Sequence, residues 1–136
     1  MGVVTRVLDS SALIAMIVDE PGGSVVRDLL QEPDSVAVVH PVNLCEVYYD
    51  MLKRGGPSQA ESALQELDAL GLRRARRISL DFIRRVAALK SARKVSLADC
   101  FCIVLTVDVN GVLVTCDRHE LERVAADGVC DVQFIR

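Results

Sequence analysis

The sequence predicts an α/β layer fold with a mostly parallel sheet, and three observations carry that expectation. Short apolar runs around Val3 to Leu8, Ser35 to Val39 and Val112 to Thr115 have the near-continuous hydrophobicity of strands buried on both faces. Segments of helical length and periodicity separate those runs. Carboxylates follow two of them, Asp9 after Leu8 and Asp117 after Cys116, and in open parallel sheets ligands gather beyond the carboxyl ends of the strands.

Each element has its own signal. After the first strand, Ser10 and Ser11 are expected to cap a helix from Ala12 to Val18, which Pro21-Gly22-Gly23 breaks before a second helix around Ser24 to Gln31. Pro41 suits the first turn of a helix reaching about Arg54, where Gly55-Gly56-Pro57 stops it. Ser58 to Ala69 is amphipathic, with Ala60, Ala63, Leu64, Leu67 and Leu70 on one side. A short strand is expected near Arg74 to Ile78, then a helix from about Leu80 to Lys94. Ser96 caps a further helix ending near Val109, and Asn110-Gly111 turns the chain into the strand ending at Thr115. A last helix from about His119 to Ala126 precedes an edge strand over Val132 to Ile135. No linker, repeat or low-complexity segment interrupts this order, so residues 1–136 are expected to form one domain.

Composition narrows the class. The 136 residues are 51% hydrophobic but only 4% aromatic, so the core is expected to be aliphatic, and 26% charged residues argue against disorder. No apolar run reaches the roughly 18 residues that cross a bilayer, and the N-terminus lacks the build of a signal peptide. No membrane association and a cytoplasmic address are therefore expected. Cys45, Cys100, Cys102, Cys116 and Cys130 match no zinc spacing and are expected to be reduced, buried small hydrophobes. The net charge of −3 hides an asymmetry. Nine of the sixteen basic residues (Arg73, Arg74, Arg76, Arg77, Arg84, Arg85, Lys90, Arg93 and Lys94) fall within residues 71–94 with one acid, Asp81. Such a block meets a phosphate backbone, or it is a solvated helix face or a protein-partner surface; Arg84 and Arg85 within it, and Arg118 beyond it, are the candidate contacts to a nucleic-acid backbone.

Four acids sit at apolar junctions: Asp9, Glu46, Asp99 and Asp117. Capping accounts for each aspartate singly, Asp9 and Asp117 at helix starts and Asp99 in the box Ser96-x-x-Asp99. It does not account for Glu46, which lies inside a helix between Cys45 and Val47; with Asn43 one turn before it and Asp50 one turn after, a solvated polar stripe is the competing explanation. If the fold gathers the four, their repulsion demands a cation, and hard oxygen ligands without His or Cys point to Mg²⁺, with Mn²⁺ as substitute.

In their order, V-L-D-S-S-A-L, N-L-C-E-V, S-L-A-D-C and L-V-T-C-D-R-H-E-L resemble the PIN domain, and closely the VapC-type toxins of type II toxin–antitoxin systems. The likeness runs from Val7 to the last strand. It implies a PIN-like three-layer α/β fold and an endoribonuclease whose metal site is formed by Asp9, Glu46, Asp99 and Asp117, supported by Ser10, Asn43 and Thr115. It also implies an RNA substrate, a homodimer, and a cognate antitoxin that holds the enzyme inactive. Hydrolysis by metal-activated water needs no His base, so neither His40 nor His119 is required. A catalytically silent PIN-like module that only binds RNA or protein is the alternative. A phosphatase or receiver-domain reading is disfavoured, because Asp9-Ser10-Ser11 lacks a second acid and Thr115-Cys116-Asp117-Arg118 lacks the required Lys.

Overall fold

The computed structural model describes residues 2–136, so Met1 of the expected 1–136 domain lies outside the described residues. The chain order is β1 (Val4–Leu8), α1 (Ser10–Ile17), α2 (Gly23–Gln31), β2 (Ser35–Val39), α3 (Pro41–Ala69), β3 (Arg73–Arg74), α4 (Leu80–Ala92), α5 (Leu97–Asp108), β4 (Val112–Thr115), α6 (Arg118–Ala126) and β5 (Asp131–Phe134). The five strands form one sheet in the order β3-β2-β1-β4-β5, and every pairing is parallel. The expected α/β class holds, with the sheet wholly parallel.

Strand alternation divides the core. Leu8 and Val114 point to one face, where they pack with Leu13 and Met16 of α1, Val26 of α2, and Val47 and Leu67 of α3. Their neighbours Val7 and Leu113 point to the other face and meet Phe82 and Val86 of α4, Ile103 and Leu105 of α5, and Leu121 and Val124 of α6. Because both faces are covered, the central strands read as unbroken apolar runs. Truncating a fully buried leucine such as Leu113 to Ala removes packing worth about 2–5 kcal/mol.

Several boundaries moved for identifiable reasons. The cap of α1 is Asp9, whose side chain accepts from the Ala12 amide, so Ser10 and Ser11 lie inside the helix rather than before it. The third strand is only Arg73–Arg74, because the chain leaves the sheet once Ala75 N has bonded to Val39 O. The Gly55-Gly56-Pro57 break is present inside α3. Gly56 has φ 82° and ψ −171°, a conformation that glycine alone adopts freely, and it separates two helical stretches. Cys45 departs from the expected burial: it is exposed, while Cys100 and Cys102 are buried and all five thiols are free.

The register positions the site. The β1–β4 ladder pairs Val7 with Leu113 and Leu8 with Val114, and Asp9 N donates to Val114 O at 3.2 Å. After β1 the chain builds one half of the sheet through β2 and β3, then returns to β4 on the other side of β1. The crevice between the ends of β1 and β4 is therefore the topological switch point.

Candidate active site

Asp9 stands at that switch point, only 2% exposed. Its Oδ1 accepts from Ala12 N at 2.9 Å and from Ser11 Oγ at 2.7 Å. Its Oδ2 accepts from Thr115 Oγ1 at 2.5 Å. Thr115 Oγ1 also accepts from Asp117 N at 3.0 Å, and Ser11 Oγ accepts from Cys116 N at 3.1 Å. One polar network thus welds the carboxyl ends of the two central strands. Burial raises the Asp9 pKa, and the nearby Asp117 charge raises it further, against the three hydrogen bonds that lower it.

Asp117 caps α6 through Oδ1, which accepts from Glu120 N at 3.0 Å. Asp99 lies in the first turn of α5, and its amide donates to Ser96 Oγ at 3.1 Å. Its pKa is raised to about 7 by burial, then by the charges of Asp9, Asp117 and Glu120, against a lowering contact with Ser96. The three aspartates therefore act on one another electrostatically, although more than 100 residues separate the first from the last in sequence. Capping and convergence coexist: Asp9 and Asp117 each use one oxygen for a helix terminus, and the second Asp9 oxygen takes the Thr115 hydroxyl.

Glu46 is exposed in the second turn of α3. Asn43 Nδ2 donates to Ala98 O at 3.1 Å and lies 3.4 Å from Glu46 Oε1, so it ties this turn of α3 to the helix turn that carries Asp99. Both neighbours of Nδ2 are acceptors, which fixes the orientation of the amide. That orientation leaves Asn43 Oδ1 buried with no donor, a vacancy in hydrogen bonding that is uncommon in proteins. Cys102 is buried beside the acids: its thiol is pushed well above the usual range by burial, then by Asp9, Asp99 and, among smaller causes, Glu46.

Of the expected supporting residues, Asn43 and Thr115 sit in the site, while Ser10 makes no side-chain hydrogen bond among the described residues. Its neighbour Ser11 bonds Asp9 Oδ1 and Cys116 N. Sequence reasoning also passed over Glu120, whose Oε2 accepts from Ser96 N at 3.3 Å and whose charge reaches Asp99. The spacing Asp117-x-x-Glu120, a capping pattern, was the available signal. A cavity of about 580 Å³ opens beside it, lined in part by Lys94, His119, Glu120 and Arg123. His40 is fully buried, stacked on Phe82 with Phe101 tilted against it.

The candidate RNA contacts separate into different kinds. Arg84 is exposed without an ion pair among the described residues. Arg85 is held 2.6 Å from Asp108, and Arg118 lies over the Phe134 ring at 4.6 Å with its Nε donating to Arg136 O. These last two are structural tethers first.

The donor chemistry suits a hard divalent cation: clustered carboxylates, two of them with raised pKa values, and an orphaned amide oxygen at their edge. Among the described residues no three His, Cys, Asp or Glu side chains form a ready-made cage. That is compatible with Mg²⁺, which keeps several waters and is usually held by one or two carboxylates together with substrate phosphate.

The family model of the PIN domain matches residues 6–127. Among curated proteins, none matches the chain in sequence. Solved structures do match in fold. VapBC-1 from nontypeable Haemophilus influenzae aligns with a TM-score of 0.72 at 16% identity, over 97% of this chain and 98% of its own. VapBC2 from Rickettsia felis, bound to a DNA fragment from its promoter, gives 0.74 at 15% over 96% and 98%. VapC20 of Mycobacterium tuberculosis, a sarcin-ricin loop cleaving toxin, gives 0.70 at 13% over 87% and 94%.

Proposed function

The chain belongs to the PIN-domain family, and from that membership we propose that it is a metal-dependent endoribonuclease, the toxin of a type II toxin–antitoxin pair. The observation that carries the reading is the electrostatic convergence of Asp9, Asp99 and Asp117 at the β1/β4 switch point. The similarity to VapBC complexes and to a toxin that cleaves the sarcin-ricin loop supports both the nuclease and the antitoxin partner.

Asp9, Asp99 and Asp117 would hold Mg²⁺ or Mn²⁺, with Glu46 directly or through water. When bound, the ion supplies a Lewis acid and a source of hydroxide at neutral pH. The protein's own groups do the rest. Thr115 and Ser11 orient the Asp9 carboxylate, so that it enters the reaction already aimed. Asp99, whose pKa is raised to about 7 by burial and by the neighbouring carboxylates, would give up its proton to the ion on binding it. Asn43 Oδ1 is available to accept a hydrogen bond from a water at the edge of the site. Water adds to the scissile phosphorus, the bond to the ribose 3′ oxygen breaks, and the products are a 5′-phosphate and a 3′-hydroxyl.

No helix among the described residues is long and apolar enough to cross a membrane. A second copy of the chain fits the apolar patch formed by Ile78, Leu80 and Ile83, exposed by 68%, 66% and 45%. An antitoxin segment bearing Arg or Lys fits the acidic crevice and would pair with Asp9 or Asp117, excluding both metal and RNA.

Brief induction in a bacterial host tests this reading. The chain alone should arrest growth and generate new RNA ends bearing 5′-phosphates. Co-expression with the adjacent small open reading frame should prevent both. Harmless expression with no antitoxin present contradicts the toxin assignment.

A further inference from the structure

The basic block between residues 71 and 94 is sorted by its contacts. Lys90 Nζ donates to Val95 O at 2.8 Å, Arg85 is 2.6 Å from Asp108, Arg93 is 2.9 Å from Asp127, and Arg74 is 3.7 Å from Asp68. Arg73, Arg76, Arg77 and Arg84, like Lys94, are exposed and, among the described residues, make no ion pair and no side-chain hydrogen bond. Two of these residues, Arg73 and Arg76, join Arg74 in lining a groove of about 580 Å³ with Pro41, Leu72 and Ala75. No carboxylate lines it. Asp68 offsets only Arg74, and neighbouring guanidinium groups otherwise repel one another, so folding alone gives little reason to collect them there.

The backbone under this groove is firmly held. His40, the N-cap of α3, is fully buried; its Nδ1 accepts from Val42 N at 3.1 Å, and its Nε2 donates to Arg77 O at 2.9 Å. Burial lowers the His40 pKa, which keeps the ring neutral and able to make both bonds at once. The same residue thus anchors the arginine segment and the start of the helix that carries Asn43 and Glu46. The placement follows from topology. β3 runs parallel to β2, with Val39 opposite Arg74, so Ala75 to Arg77 leave the sheet at the edge where Asp9 and Asp117 leave β1 and β4. Two inter-strand steps, roughly 10 Å, separate β3 from β1 along that edge.

We propose that the groove formed by Pro41, Leu72 and Arg73–Arg76 is a phosphate subsite that holds the RNA backbone entering the acidic crevice. The inference rests on the nuclease reading above. Planar guanidinium groups bind phosphate oxygens in pairs, and a polyanion approaching five carboxylates needs a cationic surface beside them. A protein partner fits less well, because the lining has no aromatic and no large exposed apolar anchor; the apolar residues Ile78 and Leu80 lie outside it.

The test is the binding of a labelled single-stranded RNA of about 20 nucleotides in EDTA across a salt series, with cleavage kinetics in Mg²⁺ run in parallel. Wild type is compared with the double variant Arg73→Gln/Arg76→Gln and with Arg27→Gln, a control whose guanidinium pairs with Glu66 at 2.7 Å. The double variant should bind about tenfold or more weakly, and its slope of log K against log salt should shrink by about 0.7 per lost contact. Its KM should rise while kcat persists, and its Tm should match wild type. Wild-type affinity and salt slope in the double variant, with the wild-type chain cutting RNA, overturn the groove and leave the nuclease reading standing. Loss of antitoxin neutralisation with unchanged RNA affinity assigns the groove to a protein and also overturns the inference. Arginine-dependent binding by a wild-type chain that never cuts upholds the groove and sinks the nuclease.

Discussion

Thr115 Oγ1 donates to Asp9 Oδ2 at 2.5 Å across 106 residues of chain, and in doing so locks the end of β4 to the end of β1. The bond sits beside a second one from Ser11, so the most buried carboxylate of the site is held by hydroxyls from both sides of the switch point.

Thr115→Val keeps the shape and removes that donor. Asp9 then loses its largest compensation for burial, and the protein should lose about 1–3 kcal/mol of stability. Thr115→Ser, which retains the hydroxyl, should recover most of it. Urea unfolding of the three proteins checks this, and cleavage rates should follow the same order.

The acid cluster makes the metal-free protein sensitive to pH in a defined direction. The folded-state pKa of Asp99, about 7, is above its unfolded value of about 3.9. Its contribution to stability is therefore fully present below the unfolded value and is lost as pH rises towards 7. The shift of Asp9 acts in the same direction. In EDTA, Asp99→Asn should be more stable than wild type by about 1–2 kcal/mol at pH 8, after allowing for partial exposure. The gap should close by about pH 4. For the wild type, Mg²⁺ should stabilise increasingly as pH rises through 7, because proton and ion compete for one carboxylate.

Arg84 and Arg85 should separate cleanly. Arg85→Gln breaks the pair with Asp108 that joins α4 to α5, and should cost up to about 1 kcal/mol. Arg84→Gln touches no partner and should leave Tm within error. Thermal melts of the two variants decide it.

Thiol reactivity reports on the crevice. Cys45 is exposed and should react first with iodoacetamide, whereas Cys102, buried beside the acids and held protonated, should resist in the native state. Mass mapping after brief treatment checks the order. Rapid native labelling of Cys102 contradicts the described packing.

How much of this was legible in the sequence depends on what each residue advertises. Asp9 and Asp117 could be found because buried parallel strands leave apolar runs, and a carboxylate at the end of such a run stands out. Glu46 could be found because nothing in a helix interior explains it. The extent of β3 was not legible: its two residues are exposed arginines on an edge strand, with no apolar pattern to mark them. The part played by Ser11 was not legible, because adjacent helical residues point in different directions and only the β1–β4 register shows that Ser11 meets Cys116 N. Glu120 resembles an ordinary first-turn glutamate until the α5 cap is placed against it.

The central claim is that Asp9, Asp99 and Asp117 form the metal site of a ribonuclease, and the most direct measurement is RNA cleavage by the purified chain with Mg²⁺ or Mn²⁺, with EDTA, and after Asp99→Asn. The wild type should give 5′-phosphate products with metal and none in EDTA, and both metal affinity and cleavage should collapse in the folded variant. Undiminished cleavage by Asp99→Asn, or no cleavage by a folded wild-type chain at any metal concentration, would contradict that claim; the latter would leave a silent PIN-like binding module in its place.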